Sequence, residues 1–237
     1  MRVEIIPCLQ DNYAYLVVAD TGEAAIVDPS EAEPVLTLVR SLGVNLCAIW
    51  NTHHHFDHTG GNEALLQVSP GLAVVGHARD VGRIPGLTHS VEDGDELALG
   101  ELRARILYNP GHTLGAVSYV VGGAVFTGDT LFSGGCGRVF EGDPSMMFAS
   151  LMRIGTLAPG TRVYPGHEYT VKNLEFARGV DRHNAAIETR YEEAQRQRAA
   201  GRPTVPSSLA AEWATNPFLR AADVATFAEL RARKDLF

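Results

Sequence analysis

Four histidines and one aspartate stand within six consecutive residues of this sequence, His53-His54-His55-Phe56-Asp57-His58. The cluster follows the apolar run 46–50, which predicts that it lies at the end of a buried strand. Polar groups buried without a partner cost free energy, so such a cluster needs something to bind. Imidazole nitrogens and carboxylate oxygens are good ligands for zinc and similar ions. The cluster therefore predicts a metal site.

Three further segments each place a His or an Asp beside a glycine, just after an apolar run. Neighbouring strands of a sheet end side by side, so ligands that are distant in the sequence are expected to converge there. Together with the cluster, these segments give seven candidate ligands: His53, His55, Asp57, His58, His112, Asp129 and His167. A single catalytic ion takes about three protein ligands. Seven candidates therefore favour two ions that share one carboxylate.

Each of these residues alone has an ordinary explanation, because a Gly-His or Gly-Asp pair at a turn is more often part of a capped loop. Only the combination with the histidine cluster favours metal binding. His54 is predicted not to be a ligand, because side chains alternate along an extended segment. His77, His89 and His183 lack the strand-glycine context and are interpreted as surface residues or as supports behind the ligands. Cys136 lacks an obvious paired base and is not predicted to be a nucleophile.

Apolar runs and turns predict a strand-rich domain over residues 1–168 and a helical domain over residues 169–237. In the first domain, strands are predicted over residues 13–18, 24–27, 46–50, 73–75, 96–99, 102–107, 118–121, 124–127 and 162–164. Helices are predicted there over residues 34–42 and 146–157. In the second domain, helices are predicted over residues 171–178 and 184–200, followed by short helical pieces and no strand. This mixture indicates the α/β class.

The chain of 237 residues has a net charge of −8 and a pI of about 5.6. A general nucleic-acid binder is expected to be basic, so an acidic chain argues against that class. Its three cysteines are far apart, which favours a reducing compartment over a disulfide framework. No run reaches the ~18 apolar residues of a membrane span, and the first residues do not resemble a signal peptide. We predict a cytoplasmic monomer without a membrane partner.

The motif Thr52-His53-x-His55-x-Asp57-His58, followed by His112, Asp129 and His167, resembles the metallo-β-lactamase superfamily. The resemblance covers the first domain and implies a four-layer αββα sandwich with metals at one edge and a C-terminal helical domain. It also implies one ligand set for each of two ions: His53, His55 and His112, and then Asp57, His58 and His167. Asp129 would bridge the ions. Two-zinc β-lactamases commonly carry Cys there, so Asp129 argues against antibiotic hydrolysis.

A narrower resemblance extends over essentially the whole chain, including the helical tail. Its motifs are similar to those of the glyoxalase II, or hydroxyacylglutathione hydrolase, family: Gly128-Asp129-Thr130-Leu131-Phe132, Gly135-Cys136-Gly137-Arg138, Glu141-Gly142, Pro165-Gly166-His167-Glu168-Tyr169-Thr170, Asn216-Pro217-Phe218-Leu219-Arg220 and Arg231-x-x-Lys234-Asp235-x-Phe237. That family hydrolyses S-D-lactoylglutathione, and other S-2-hydroxyacylglutathiones, in methylglyoxal detoxification. The products from S-D-lactoylglutathione are glutathione and D-lactate. The resemblance implies the same thioester hydrolysis for this chain.

The same resemblance implies that five side chains bind the glutathione moiety: Arg138, Phe140, Tyr169, Arg231 and Lys234. Guanidinium and ammonium groups are natural partners of the two glutathione carboxylates. They would supply the local basic patch that an acidic protein needs for an anionic substrate. Some family members have Lys at position 138 and Tyr at position 140. Arg138 keeps the charge, whereas Phe140 has no hydroxyl to donate.

The implied reaction uses two divalent metal ions, with zinc favoured and iron or manganese also compatible with nitrogen and oxygen ligands. A hydroxide that bridges the ions would attack the thioester carbonyl. The predicted catalytic residues are Asp57, which would orient the hydroxide, and Asp129, which would bridge the ions. The main alternative is an iron-dependent glutathione persulfide dioxygenase on the same fold, which uses one ion. Lactone or phosphodiester hydrolysis and a non-catalytic binding protein are further alternatives, and the complete ligand set argues against the last.

Overall fold

A computed structural model describes all 237 residues, which form two compact units. The first unit comprises Met1–Tyr108 and Gly115–Gly122, and the second comprises Asn109–Leu114 and Gly123–Phe237. No helix in either unit combines the length and the apolar composition needed to cross a membrane. Each unit carries part of the predicted metal-binding set.

A six-stranded sheet frames the first unit, with its strands in the order of the chain. Its strands are β1 (Arg2–Cys8), β2 (Asn12–Val18), β3 (Glu23–Val27), β4 (Asn45–Trp50), β5 (Ala73–His77) and β6 (His89–Val91). Strands β1 to β3 are antiparallel, whereas β3 to β6 are parallel. Parallel strands end at the same edge of a sheet. The residues that follow β3 and β4 therefore lie side by side.

Helices cover this sheet, and a further three strands complete the unit. The helices are α1 (Ala32–Leu42), α2 (Phe56–Thr59) and α3 (Asn62–Val68), and the strands are β7 (Glu96–Leu99), β8 (Leu102–Tyr108) and β9 (Val117–Val121). Helix α1 ends at Gly43, whose φ of 63° is the left-handed cap that glycine adopts without strain. Buried aliphatic side chains of α1, α3 and the sheet form one apolar core.

Contacts between β4 and β9 hold the end of β4 where the histidine cluster begins. The Tyr119 ring stacks on Trp50 with centroids 5.2 Å apart, and its hydroxyl donates a hydrogen bond to the Asn51 carbonyl at 2.8 Å. Both aromatic side chains are fully buried. Such burial with a satisfied hydroxyl gives a rigid support. The end of β4, and with it the start of the histidine cluster, is therefore fixed in position.

The second unit combines a small sheet, a hairpin and five helices. Its strands are β10 (Ala124–Gly128), β11 (Leu131–Phe132), β12 (Gly135–Cys136), β13 (Arg162–Pro165) and β14 (Ser207–Ser208). Its helices are α4 (Pro144–Ile154), α5 (Thr170–Val180), α6 (Ala185–Ala199), α7 (Leu209–Thr215) and α8 (Val224–Asp235). Strand β13 pairs with β10 in parallel and with β14 in antiparallel orientation. Strands β11 and β12 form the separate hairpin.

The predicted strands and helices are confirmed to within a few residues at each end. Strand β1 was not predicted, because Arg2, Glu4 and Pro7 interrupt its apolar pattern. The expectation of a tail without strands is wrong, since Ser207 and Ser208 form β14. Two polar residues carry no periodic signal, and this strand exists only because it pairs with Arg162 and Val163. Such pairing is a tertiary effect that local sequence does not show.

Candidate metal centre

The buried carboxylate of Asp28 organises the histidine cluster of the first unit. Its Oδ1 accepts the Thr52 N–H at 2.7 Å, and its Oδ2 accepts the Thr52 hydroxyl at 2.6 Å. The same Oδ2 lies 3.0 Å from His58 Nδ1. A carboxylate accepts, so the proton of His58 stays on Nδ1 and its Nε2 presents an electron pair that can bind a metal. Asp28 has a φ of 47°, a backbone conformation that aspartate tolerates better than most residues.

His53 and His55 face each other at the start of the cluster. His53 Nδ1 lies 3.0 Å from the Thr52 hydroxyl oxygen. Because Thr52 already donates its own proton to Asp28, this oxygen accepts from His53 Nδ1, which leaves His53 Nε2 unprotonated. That nitrogen lies 3.0 Å from His55 Nδ1. Two nitrogens bound to one tetrahedral zinc ion lie about 3.3 Å apart, from Zn–N distances of ~2.0–2.1 Å. The observed spacing is close to this value.

Asp57 also lies within the cluster, and its main chain is anchored. Its Oδ2 lies 3.6 Å from His58 Nε2, a separation suited to two ligands of one ion. The Asn12 amide donates to both the Asp57 carbonyl and Oδ2, at 2.9 and 3.1 Å. The Ser30 hydroxyl donates to the same carbonyl. Residues of the first unit therefore hold the Asp57 carboxylate beside His58.

His54 occupies a different environment from its neighbours. Its Nδ1 lies 3.2 Å from Oδ1 of the buried Asp80, and its Nε2 lies 2.6 Å from the Arg83 guanidinium. Both ring nitrogens therefore face Asp80 and Arg83, while the ring itself contacts the His55 ring edge to face with centroids 4.9 Å apart. His77 is buried and stacks on Tyr108 with centroids 4.4 Å apart, and burial lowers the pKa of its imidazole.

In the second unit, one carboxylate oxygen lies between two imidazoles. Asp129 Oδ2 is 3.5 Å from His112 Nε2 and 3.4 Å from His167 Nε2. All three side chains are at most one-tenth exposed. Strand β10 delivers Asp129, and the parallel neighbour β13 delivers His167, so the two residues emerge at one edge of the small sheet. An oxygen placed near two ring nitrogens is the arrangement that a bridging ligand requires.

The main chain of Arg138 sets the orientation of His112. His112 Nδ1 lies 2.8 Å from the Arg138 carbonyl oxygen. A carbonyl can only accept, so Nδ1 carries the proton and Nε2 presents its electron pair towards Asp129. Hydrogen bonds of this kind fix the ring and its tautomer in metal sites.

Gly137 brings these groups together by its lack of a side chain. A Cβ atom built on Gly137 would lie 1.8 Å from the Asp129 carbonyl oxygen and 3.2 Å from His112 Nδ1. No side chain fits at the first of these distances. The segment before Arg138 can therefore pass directly over the backbone of Asp129 only because residue 137 is glycine.

The donor chemistry of both units is compatible with a binuclear metal site. The donors are imidazole nitrogens and carboxylate oxygens, the ligands that zinc, iron and manganese accept. In three of the imidazoles the proton is held on Nδ1, which leaves Nε2 to bind a metal: His53, His58 and His112. Neutral imidazole with an exposed electron pair is the form that binds a metal.

Basic side chains of the predicted glutathione-binding set lie near the end of α8. The Arg138 side chain is 61% exposed, and its Nε lies 3.5 Å from Asp235 Oδ1. Lys234 donates to the Lys172 carbonyl at 3.2 Å and lies over the rings of Phe176 and Phe237. Burial, with the neighbouring cations Arg231 and Lys172, lowers the pKa of Lys234 to about 8. Its charge is therefore sensitive to pH close to neutrality.

Arg231 is buried, although a lone arginine in a terminal helix is usually solvated. It is 7% exposed, donates to the Cys136 carbonyl at 2.8 Å and pairs with Asp235 Oδ1 at 3.0 Å. Its guanidinium thus has partners inside the unit. Burial raises the pKa of the Cys136 thiol to about 11. Cys136 is therefore a poor nucleophile near neutral pH.

The two aromatic residues of that set lie beside the imidazoles of the second unit. Tyr169 stacks on His167 with centroids 4.7 Å apart and ring planes 3° apart. The Phe140 ring lies 5.2 Å from that of His112 and is 62% exposed. Both rings therefore form part of the surface next to the imidazoles.

Asp28 was missed by the sequence analysis, although a usable signal was present. It directly follows β3, just as Asp129 directly follows β10. Asp129 was predicted because it follows a strand and stands beside a glycine, and Asp28 shares the first of these features but has Val27 and Pro29 as neighbours.

Comparison with known proteins identifies two family models that together cover almost the entire chain. The model of the metallo-beta-lactamase superfamily matches residues 10–167. The model of the hydroxyacylglutathione hydrolase C-terminus matches residues 168–237. A hydroxyacylglutathione hydrolase of Synechococcus sp. (strain JA-3-3Ab) is 47% identical, and the alignment covers 100% of both chains.

Solved structures show the same fold at lower identity. ETHE1 from Myxococcus xanthus is 29% identical with a TM-score of 0.75, covering 98% of this chain and 90% of that one. TTHA1623, solved in a di-iron-bound form, is 30% identical with a TM-score of 0.65, covering 92% of this chain and 100% of that one. The mixed α/β class and the metallo-β-lactamase fold are therefore confirmed.

Substituting Gly137→Ala is expected to disrupt the second unit's part of the centre. The new methyl would collide with the Asp129 carbonyl, and overpacking of this kind costs about 1–3 kcal/mol of unfolding free energy, or more. Urea unfolding and a zinc-binding titration would measure the effect. Gly160→Ala is the matched control, because a Cβ there meets no atom within 4 Å. Equal stability and zinc binding in the two variants would contradict the packing argument.

Proposed function

The chain belongs to the hydroxyacylglutathione hydrolases of the metallo-β-lactamase superfamily, and we propose that it hydrolyses S-D-lactoylglutathione to glutathione and D-lactate. It is a thioester hydrolase by this membership, which extends over its full length. The geometry that best supports the proposal is the Asp129 carboxylate oxygen lying within 3.5 Å of two imidazole nitrogens. A carboxylate so placed suits a hydrolytic centre with two ions.

We propose that the ligands divide between two ions as the resemblance implies. One set is His53, His55 and His112, and the other is Asp57, His58 and His167, with Asp129 shared. Zinc is the proposed metal, and iron or manganese would fit the same donors. When bound, the ions would supply an activated water and polarise the thioester carbonyl.

The protein's own groups would prepare this chemistry by orientation. Asp28 and Thr52 hold His53 and His58 in one tautomer, and Asp57 would orient the attacking water. The leaving group is a thiolate whose conjugate acid has a pKa of roughly 8.5, so it departs without a strong general acid. Cys136 takes no covalent role in this scheme, because burial raises the pKa of its thiol to about 11.

We propose that residues 169–237 form a helical substrate-binding domain and that residues 1–168 form the catalytic domain. Arg138 and Lys234 supply cations for the two glutathione carboxylates, and Tyr169 adds an aromatic face beside His167. Arg231 would act on the substrate indirectly, because its guanidinium already binds Cys136 and Asp235. We further propose a cytoplasmic location, which suits three free cysteines, and a monomeric state.

Replacing Asp129 by Ala tests the proposed reaction. Loss of a shared ligand is expected to lower kcat on S-D-lactoylglutathione by more than about 100-fold, since losing only an outer hydrogen-bond partner costs about 10–100-fold. Metal content should fall below the two ions per chain of the wild type. Glu192→Ala, an exposed change on α6, is the control.

Each result of this experiment has a distinct meaning. Full activity in the Asp129 variant would rule out the bridging role. A wild type that does not turn over the thioester would rule out the substrate. One ion per chain together with oxygen consumption on glutathione persulfide would instead indicate the dioxygenase alternative.

Changing Phe140 to Tyr is expected to lower KM for S-D-lactoylglutathione by about 2–10-fold with kcat unchanged. The ring is exposed beside His112, and a new hydroxyl adds one hydrogen bond worth about 0.5–1.5 kcal/mol. Steady-state kinetics would measure the change. Phe140→Leu separates the hydroxyl from the ring, and an equal fall of KM in that variant would contradict the explanation.

The low pKa of Lys234 predicts a pH-dependent substrate affinity. Below pH 8 the ammonium is charged and attracts a glutathione carboxylate, and above pH 8 this attraction is lost. We therefore expect KM to rise between pH 7.5 and pH 9. In Lys234→Arg the cation persists, so this rise should move to higher pH. The same KM profile in both enzymes would show that another group is responsible.

A further inference from the structure

The β11–β12 hairpin, residues 131–136, connects the main groups of the second unit's centre. It begins two residues after Asp129 and ends two residues before Arg138. We propose that Glu212 and Asn216 are positioning residues that hold this hairpin, and through it Asp129 and the Arg138 carbonyl that orients His112. The inference rests on the proposed function only for its kinetic consequence. The positions of Asp129 and His112 depend on the hairpin whatever the reaction.

Glu212, on α7, places a fully desolvated carboxylate against the hairpin. It is 1% exposed. Its Oε2 accepts the Gly134 N–H at 2.8 Å, and its Oε1 accepts the Ser133 hydroxyl at 3.1 Å. Burial raises the pKa of the Glu212 carboxyl, and hydrogen-bond donors, including Ser133 and Gly134, oppose that rise. A carboxylate is retained in such a position only where donors satisfy it.

Asn216 binds the other polar groups of the same hairpin. It is fully buried, and its amide donates to the carbonyls of Phe132 at 3.1 Å and Gly135 at 2.9 Å. The same amide donates to Glu212 Oε2 at 3.1 Å. The two side chains therefore form one network, which satisfies both N–H and C=O groups of the hairpin. A fully satisfied buried network favours a single conformation.

The hairpin has little means of holding itself in place. Strands β11 and β12 have only two residues each, and an isolated two-stranded hairpin is at best marginally stable. Asn173 of α5 adds a third side-chain contact, donating to the Ser133 carbonyl at 3.2 Å. Apart from the Thr127 hydroxyl, which donates to the Leu131 carbonyl at 2.7 Å, the side chains that hold the hairpin belong to residues 169–237.

A displacement of the hairpin would be passed directly to the candidate ligands. The chain leaves β12 into Gly137, which packs against the Asp129 carbonyl. The next residue supplies the carbonyl that accepts the His112 Nδ1 proton. Both contacts lie within two residues of the hairpin. A shift of about 1 Å is enough to impair a catalytic geometry.

The test compares Glu212→Gln with two controls. The amide keeps the shape of the carboxylate but has only one oxygen. Either the Gly134 N–H or the Ser133 hydroxyl therefore loses its acceptor. We expect kcat on S-D-lactoylglutathione and zinc affinity, measured against a competing chelator, each to fall by about 10–100-fold. KM should change far less, since the exposed Arg138 side chain remains. The ¹⁵N NMR signal of protonated His112 Nδ1 in metal-free protein should weaken or shift.

Glu193→Gln makes the same chemical change on the exposed face of α6 and should leave kcat, zinc affinity and the His112 signal unchanged. Ile187→Val destabilises the buried α5–α6 contact and removes no hydrogen bond to the hairpin. If it lowers the melting temperature as much as Glu212→Gln while kcat, zinc affinity and the His112 signal persist, a purely stabilising role for Glu212 is excluded.

Two results would overturn the proposal. One is a folded Glu212→Gln protein that retains wild-type zinc affinity and His112 signal. The other is an Ile187→Val protein that reproduces the whole defect at equal stability. If the wild type does not hydrolyse the thioester, only the proposed function fails. The zinc and NMR measurements still decide whether Glu212 positions His112.

Discussion

A histidine binds a metal through an electron pair, so its proton must be kept on the opposite nitrogen. This constraint accounts for much of the structure around the candidate centre. Asp28 accepts directly from His58 and, through the Thr52 hydroxyl, from His53. The Arg138 carbonyl accepts from His112. Each acceptor must be buried and immobile, because a mobile acceptor would allow the ring to change tautomer or to rotate.

Immobile acceptors explain why the surrounding elements are built as they are. Asp28 and Thr52 follow the parallel neighbours β3 and β4, whose shared edge brings the acid against the next strand's N–H group. The Arg138 carbonyl has no such sheet beneath it. Its place depends on a short hairpin, on Gly137 and on polar side chains of the helical segment. In the first unit, a sheet thus positions the acceptors of the imidazole protons. In the second unit, side chains of the helices position the corresponding acceptor.

This difference also decides what could be predicted from the sequence. His53, His55, Asp57 and His58 were identifiable because they are adjacent in sequence and follow an obvious apolar strand. Glu212 was not, since an acid in an Ala-rich helical stretch has no local sign that its carboxylate is buried against residues 133 and 134. Asn216 stood in a motif matched to a family, yet its partners lie about 80 residues earlier. Contacts between residues so far apart leave no periodic pattern in the sequence.

Arg231 shows why a residue's membership of a motif does not establish its role. The resemblance implied that it binds substrate, but its guanidinium is buried and donates to Cys136 while pairing with Asp235. Asp235 in turn lies beside the exposed Arg138. A buried guanidinium without these acceptors would carry a large desolvation cost. Its charge therefore holds Asp235, and Asp235 restrains the exposed Arg138. Under the proposed function, Arg231 would act on substrate affinity through the orientation of Arg138 rather than by contact.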